Sequence, residues 1–231
     1  MSGILFIISA PSGSGKTTLV NELLRVTPRL EFSISYTTRK PRGSERNGRE
    51  YVFVSREKFE EMIRHGDFLE YADVFGNYYG TAKSALEDAT RRGNDLLLDI
   101  DVQGARQIKQ ASPDAVTVFV LPPNKEVLEK RLRTRSQDEE AVIQRRLQEA
   151  TKEIENWTNY DYILVNDQLD QSIDTLEAIV WAERAKRDPA SVSDEQRRMG
   201  SLAEACLQAN VRERLRPILV SFSLSAAPSG R

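Results

Sequence analysis

The stretch "SAPSGSGKTTLV", Ser9 to Val20, carries the residue types and spacing best suited to chemistry. It follows the G-x-x-x-x-G-K-[ST] spacing of a phosphate cradle, with Ala10 standing where the pattern has its first glycine. In such a turn the amides of Ser12 to Thr17 point at phosphate oxygens, aided by the positive end of the helix that follows. Gly13 and Gly15 let the backbone approach, Lys16 supplies a point charge for the β- and γ-phosphates, and Thr17 offers a hydroxyl to Mg2+. Ala10 packs the turn against a strand end, where a single methyl group fits if φ is negative. The expected triphosphate-binding stretch is therefore Ala10, Pro11, Ser12, Gly13, Ser14, Gly15, Lys16, Thr17 and Thr18.

Three further groups lie outside that turn. In "SYTTRKPRGSERNGREYVF", Arg39 and Arg42 flank Pro41 and can fork onto one phosphate, with the Tyr51 hydroxyl as an added donor. Read alone, that stretch is a solvated basic loop. In "FLEYADVFGNYYGT", Glu70 sits among apolar and aromatic neighbours, where a carboxylate is costly unless paired. The two adjacent N–H donors of guanine's Watson–Crick edge suit such a carboxylate. Tyr79 and Thr81 add hydroxyls on the same turn. In "LLLDID", a strand ending in Asp99 and Asp101 puts two carboxylates on one face at its carboxyl end, where ligands bind in open α/β sheets. One suits a magnesium shell and the other an acceptor. Residues 125–146 hold Lys125, Lys130, Arg131, Arg133, Arg135, Arg145 and Arg146, with Arg131 and Arg135 on one helix face.

The elements that position these groups alternate. The runs "GILFIIS", "DLLLDID", "AVTVFVL" and "YDYILVN" read as strands buried on both faces. Helices are expected over 17–26, 82–92, 103–110, 169–186, and in two pieces over 124–156 with a break near 134–138. "SISY" and "YVFVS" read as short strands, and Ser55 caps a helix running to His65. "FLEYADVFGNYYGT" reads as an antiparallel pair turning at Gly76-Asn77. The expected fold is α/β: a parallel sheet covered by helices on both faces, a small mixed β insertion, and a helical lid.

Composition bounds the partners. Against 33 Lys and Arg stand 35 Asp and Glu, a net charge of −2, so no overall field draws the chain to nucleic acid or a membrane. The single cysteine, Cys206, leaves no intrachain disulfide framework and fits a reducing compartment. The apolar N-terminal run lacks a basic leader and a cleavage site, so no signal peptide is expected, and no apolar stretch approaches a bilayer's span. The cytoplasm is the expected location.

Taken together, "SAPSGSGKTTL", "SYTTRKPRGSERNGREYVFV", "EYADVFGNYYGT", "LLLDIDVQGA" and "YILVND" resemble the guanylate kinase family, over Gly3 to about Lys186. The resemblance implies ATP as donor with Mg2+, GMP as acceptor, and a place in purine nucleotide metabolism and GMP recycling. It implies that Arg39, Arg42, Tyr51 and Tyr79 hold the GMP phosphate, and that Ser35, Glu70, Thr81 and Asp101 read the guanine. It also implies a lid carrying Arg131, Arg135 and Arg146. With these go Lys16, Arg39 and Arg42 as catalytic groups, and Thr17 and Asp99 as expected metal ligands. No general base is needed, because the acceptor phosphate is already largely ionised at neutral pH.

The expected organisation is a kinase-like domain over 3–186, with core 3–34 and 82–186, insertion 35–81 and lid about 125–146. A C-terminal extension, 187–231, follows. Its "SLAEACLQANVRERL" is either a helix packing on a neighbouring subunit, giving a homo-oligomer, or part of a disordered tail. Two positions depart from the family pattern: Ala10 for glycine, and Tyr36 where a small residue is frequent, which narrows the pocket. The rival readings are a same-fold kinase for another monophosphate or a phosphorylated ribose, and a protein-binding module that has lost catalysis. Glu70 and Asp101 argue against the first; intact Gly13, Gly15, Lys16 and Thr17 argue against the second.

Overall fold

The computed structural model describes residues 3–74, 76–135 and 139–224, and of Arg135 and Ser191 the backbone alone. In chain order the elements are β1 (Leu5–Ser9), α1 (Lys16–Val26), β2 (Leu30–Phe32), β3 (Tyr36–Thr37), β4 (Val52–Phe53), α2 (Arg56–His65), β5 (Phe68–Val74), β6 (Asn77–Ala82) and α3 (Lys83–Arg91). There follow β7 (Asp95–Asp99), α4 (Val102–Ala111), β8 (Val116–Leu121), α5 (Lys125–Arg135), α6 (Glu140–Ile154), β9 (Tyr162–Val165), α7 (Leu169–Arg187), α8 (Asp194–Arg198), α9 (Gly200–Glu204) and α10 (Arg212–Ser221). The α/β class expected from the alternation holds. Two compact units divide the chain: Met1–Ile7 with Arg29–Ala115, and Ile8–Pro28 with Val116–Arg231. The chain passes from one to the other within β1.

In the first unit β2 pairs in parallel with β7, Leu30 opposite Asp95, and the Leu96 amide donates to the Ile4 carbonyl beside β1. The Asp95 carboxylate accepts from the Ile4 amide at 2.7 Å, so this buried acid is a structural one. A second, mixed sheet has the order β4-β3-β6-β5. Ser55 caps α2 as expected, accepting from the Lys58 amide. The small core under this sheet is aromatic: Phe59 stacks on Phe68 with centroids 4.3 Å apart, joined by Met62 and Ala82. Tyr36 meets Phe68 edge-on at 6.0 Å and packs against that cluster. Its bulk is absorbed there by ring contact.

In the second unit the end of β1 lies beside β8, and β8 pairs in parallel with β9, Val118 opposite Tyr162. Every residue of β8 is buried, as a strand covered on both faces requires. On α6 the stripe of Ile143, Leu147, Ala150 and Ile154 is buried, one face of a helix.

The segment after α7 folds back onto its own unit. Leu207 bridges antiparallel to Tyr162, the Ile163 amide donates to the Cys206 carbonyl at 2.7 Å, and the Gln208 amide donates to the Asp161 carbonyl at 2.9 Å. These bonds cover the outer edge of β9, whose unpaired amides would otherwise template further pairing. Val211, Leu215 and Leu219 are fully buried. Each such side chain contributes about 1.5–3 kcal/mol by leaving water. The final seven residues lie outside the described part.

Candidate functional site

In the second unit the turn between β1 and α1 is shaped by two glycines in the left-handed region, Gly13 at φ 90° and Gly15 at φ 89°. Neither tolerates a side chain. A Cβ at 13 meets the Leu128 and Leu132 side chains at 2.9 Å, and a Cβ at 15 meets Asn166 Nδ2 at 2.5 Å. Among the described residues the only non-glycine positions with positive φ are Arg29 and Ser223, so Ala10 has the negative φ its methyl group requires. Gly15 caps α1 without any side-chain bond to the helix's first amides. Those amides are an anion's natural partners. The Ser14 hydroxyl is buried and has no hydrogen-bond partner. A buried hydroxyl left so is costly until a ligand completes it.

Residues far away in the chain close on this turn. Buried Asn166, just past β9, donates through Nδ2 to the Ser14 carbonyl at 2.7 Å. Arg131 on α5 donates to the Asn166 carbonyl at 3.1 Å through Nη2, while its Nη1 is buried without a partner. Arg146 on α6 donates to the Ser12 hydroxyl at 2.8 Å. Of the expected lid arginines, then, Arg131 and Arg146 come to the turn. Arg135 ends α5, and its side chain lies outside the described part. Arg133 is instead tied to Glu129 and Glu140 on the surface.

The first unit gathers the other group. The register of β5 against β6 sets Glu70 opposite Thr81, and the Thr81 hydroxyl donates to Glu70 Oε1 at 2.7 Å. Both are buried, Glu70 to 7% exposure. Desolvation, reinforced by the Asp101 charge, raises the Glu70 carboxyl above its ordinary range, against the pull of the Thr81 hydrogen bonds. The first turn of α4 bounds the other oxygen: a Cβ on Gly104 would lie 3.3 Å from Glu70 Oε2.

One expectation is corrected here. Asp99 and Asp101 do not share a strand face, because β7 ends at Asp99 and Asp101 is the N-cap of α4, accepting from the Gly104 amide at 2.8 Å. An N-cap aspartate satisfies an amide the helix cannot, and that preference ends the strand two residues earlier, at Asp99.

The basic loop is not a solvated patch at Arg39. Its guanidinium lies 5.3 Å from the Tyr51 ring centroid and 5.8 Å from that of Phe53. It forks onto Glu45. Tyr51 and Tyr79 meet edge-on at 5.8 Å. Burial, then the neighbouring Tyr79, raises the Tyr51 hydroxyl above its usual range, against the pull of Arg39, so it remains a donor at neutral pH. Thr37 sets the loop's start by accepting from the Arg39 amide at 3.2 Å. Arg42 is exposed, and Ser35 is half-buried just before β3. Glu45 and Asn166 were given no role from sequence. Asn166 carries a readable signal, its place at the carboxyl end of a buried parallel strand; Glu45 carries none beyond its closeness to Arg39.

Among the described residues no three His, Cys, Asp or Glu come together to hold a metal. The oxygens of Thr17 and Asp99 are hard donors, and a few of them suit Mg2+, which keeps waters and is held mainly by substrate phosphates. No helix among the described residues is long and apolar enough to cross a membrane.

A glycine-bearing turn between strand and helix, with its lysine and converging arginines, defines a P-loop phosphotransferase. A family model described as guanylate kinase matches residues 2–183, and a guanylate kinase of Koribacter versatilis is 56% identical over 231 residues, 99% of each chain. The chain belongs to the guanylate kinase family. A guanylate kinase of Vibrio cholerae is 50% identical over 188 residues, covering 80% of this chain and 91% of the relative. A crystal structure of guanylate kinase from Anaplasma phagocytophilum, 34% identical, matches with a TM-score of 0.63 over 79% of this chain and 86% of that one. The Koribacter alignment therefore takes in the segment after α7 as well.

Proposed function

We infer that the chain is a guanylate kinase, an ATP:GMP phosphotransferase giving ADP and GDP, as its family membership states. The observation that carries the acceptor's identity is Glu70: a buried carboxylate satisfied by a hydroxyl rather than by a cation. Guanine's paired N–H donors complete it, while adenine and uracil present an acceptor at the corresponding edge. Ser35, Thr81 and Asp101 share the reading, and Arg39, Arg42, Tyr51 and Tyr79 hold the GMP phosphate. The triphosphate lies along Ala10–Thr18 with Lys16 at its β- and γ-groups. The buried Ser14 hydroxyl and Arg131 Nη1, both without partners, support that placement.

Arg131, Arg135 and Arg146 neutralise charge on the transferring group. A GMP phosphate oxygen attacks the γ-phosphorus in line, and the bond from γ-phosphorus to the β–γ bridging oxygen breaks as ADP leaves. Thr17 and Asp99 would hold Mg2+, which would offset charge on the phosphate oxygens. Closure of 125–146 excludes water, a competing acceptor. The reaction belongs to purine nucleotide metabolism and GMP recycling, in the cytoplasm.

The test is ADP release by the purified chain with GMP, AMP, UMP or ribose bisphosphate as acceptor, repeated with Glu70→Ala. GMP alone should support fast turnover, and Glu70→Ala should lose that preference. Equal turnover with AMP, or an unchanged preference in the variant, overturns the assignment.

A further inference from the structure

The Arg39–Glu45 pair has a geometry that a surface ion pair does not need. Nη1 and Nη2 of Arg39 donate to Oε2 and Oε1 of Glu45 at 2.9 and 3.0 Å, an end-on fork. The two side chains are only 10% and 24% exposed. The same Oε2 accepts from the Arg42 amide at 2.7 Å, and the Glu45 amide donates back to the Arg42 carbonyl at 3.0 Å. Arg39 Nη1 also donates to the Lys40 carbonyl at 2.8 Å. One carboxylate thus holds both arginines proposed for the acceptor's phosphate, one by its guanidinium and the other by its backbone. The guanidinium fork, then the Arg42 amide, hold the Glu45 carboxyl below the usual carboxylate range, so it is charged at neutral pH.

Donor accounting shows what this does. A guanidinium has five N–H donors in a fixed plane. Two go to Glu45 and one to Lys40. The remaining two, on Nε and Nη2, share a single edge of the plane, a second bidentate face. The Tyr51 and Phe53 rings lie against the guanidinium, with centroids 5.3 and 5.8 Å away, and limit its movement. A negative charge beside an anion site is electrostatically unfavourable, so its presence calls for a compensating gain. Orientation supplies one: a guanidinium already locked loses less freedom when its second face takes up a phosphate.

We propose that Glu45 is a positioning residue for the acceptor's phosphate, locking the Arg39 plane and the Arg42 turn so that a monophosphate dianion meets a preset bidentate edge. This rests on the acceptor-site reading given above. The competing idea is that Glu45 occupies the phosphate's own seat and is displaced by it; the two predict opposite signs.

The experiment measures the dissociation constant of GMP, and the inhibition constant of guanosine against GMP, for the full chain and for Glu45→Ala, Glu45→Gln, Glu45→Asp and Arg39→Ala. Loss of a charge-assisted partner should weaken GMP about ten- to a hundredfold in Glu45→Ala. Guanosine, which has no phosphate, should change less than about twofold, as should the KM for ATP, with Glu45→Asp recovering part of the loss. Unchanged or tighter GMP binding in Glu45→Ala overturns the inference. So does equal weakening of GMP and guanosine in Glu45→Gln, the near-isosteric variant that tests folding. If Arg39→Ala itself leaves GMP binding intact, the acceptor-site reading fails; if only the Glu45 variants are silent, that reading stands and this inference falls.

Discussion

The two regions proposed to bind phosphate are built in opposite ways. In the second unit the turn at 10–18 relies on main-chain amides, two glycines and one lysine, with Asn166 holding it from behind. In the first unit the acceptor region relies on side chains held by other side chains: Glu70 by Thr81, Arg39 by Glu45, Tyr51 against Tyr79. An amide cradle is indifferent to most side chains and intolerant only where a Cβ collides. A side-chain site is specific for its ligand's donor pattern, but every member depends on its neighbours. On the proposed reading, the donor shared by many enzymes meets the generic solution, and the acceptor that defines this one meets the specific solution.

That contrast has measurable consequences. The largest concerns Lys16, proposed to meet the β- and γ-phosphates: Lys16→Ala should lower kcat/KM roughly 10³-fold or more while the melting temperature barely moves. A surviving rate would mean that the amides suffice alone. Next comes stability. Leu215 is fully buried in α10 of the second unit, so Leu215→Ala should cost about 2–5 kcal/mol of unfolding free energy, read by denaturant titration. The KM for GMP, whose proposed site lies in the first unit, should stay put. Smaller still is Glu70→Gln, expected to raise the KM for GMP by about ten- to a hundredfold, as the loss of a charged hydrogen-bond acceptor implies.

The sign of the pH effect follows from Glu70's raised pKa. A raised carboxyl means that the fold disfavours the ionised form. Native stability therefore falls as pH rises from the unfolded pKa to the folded one, and Glu70→Gln should melt no lower than wild type at neutral pH. If Glu70 reads guanine as proposed, recognition needs its ionised form, so the KM for GMP should rise on acidification, beginning above the ordinary carboxylate range. That limb should be missing in Glu70→Gln, leaving only the titration of the GMP phosphate. Parallel profiles for the two proteins would remove Glu70 from the reading.

How much of this was legible varies by element. The turn at 10–18, the capped helix after Ser55 and the β5–β6 hairpin were plain, because each is encoded by neighbours within a few residues. The three-residue β2 was missed, having too few residues to show a period, and "SISY" became a strand only at Tyr36–Thr37, since the Ser33 amide instead bonds to the Leu97 carbonyl. Asp101 was read as strand when a helix cap claimed it. The tail's apolar residues were visible, but the surface they cover was not: they pack where their own chain's β9 offered an edge.

Spacing along the chain determined the cradle, the alternation of strands and helices, and which residue types were present to hold a purine monophosphate. Only the folded chain decided that Asn166 stands behind Ser14 and that Arg146 reaches Ser12, pairs separated by 152 and 134 residues. The reason is physical. Local geometry follows from steric and hydrogen-bonding rules acting over one turn, whereas partners distant in sequence become neighbours only when burial of the strands between them brings their ends together.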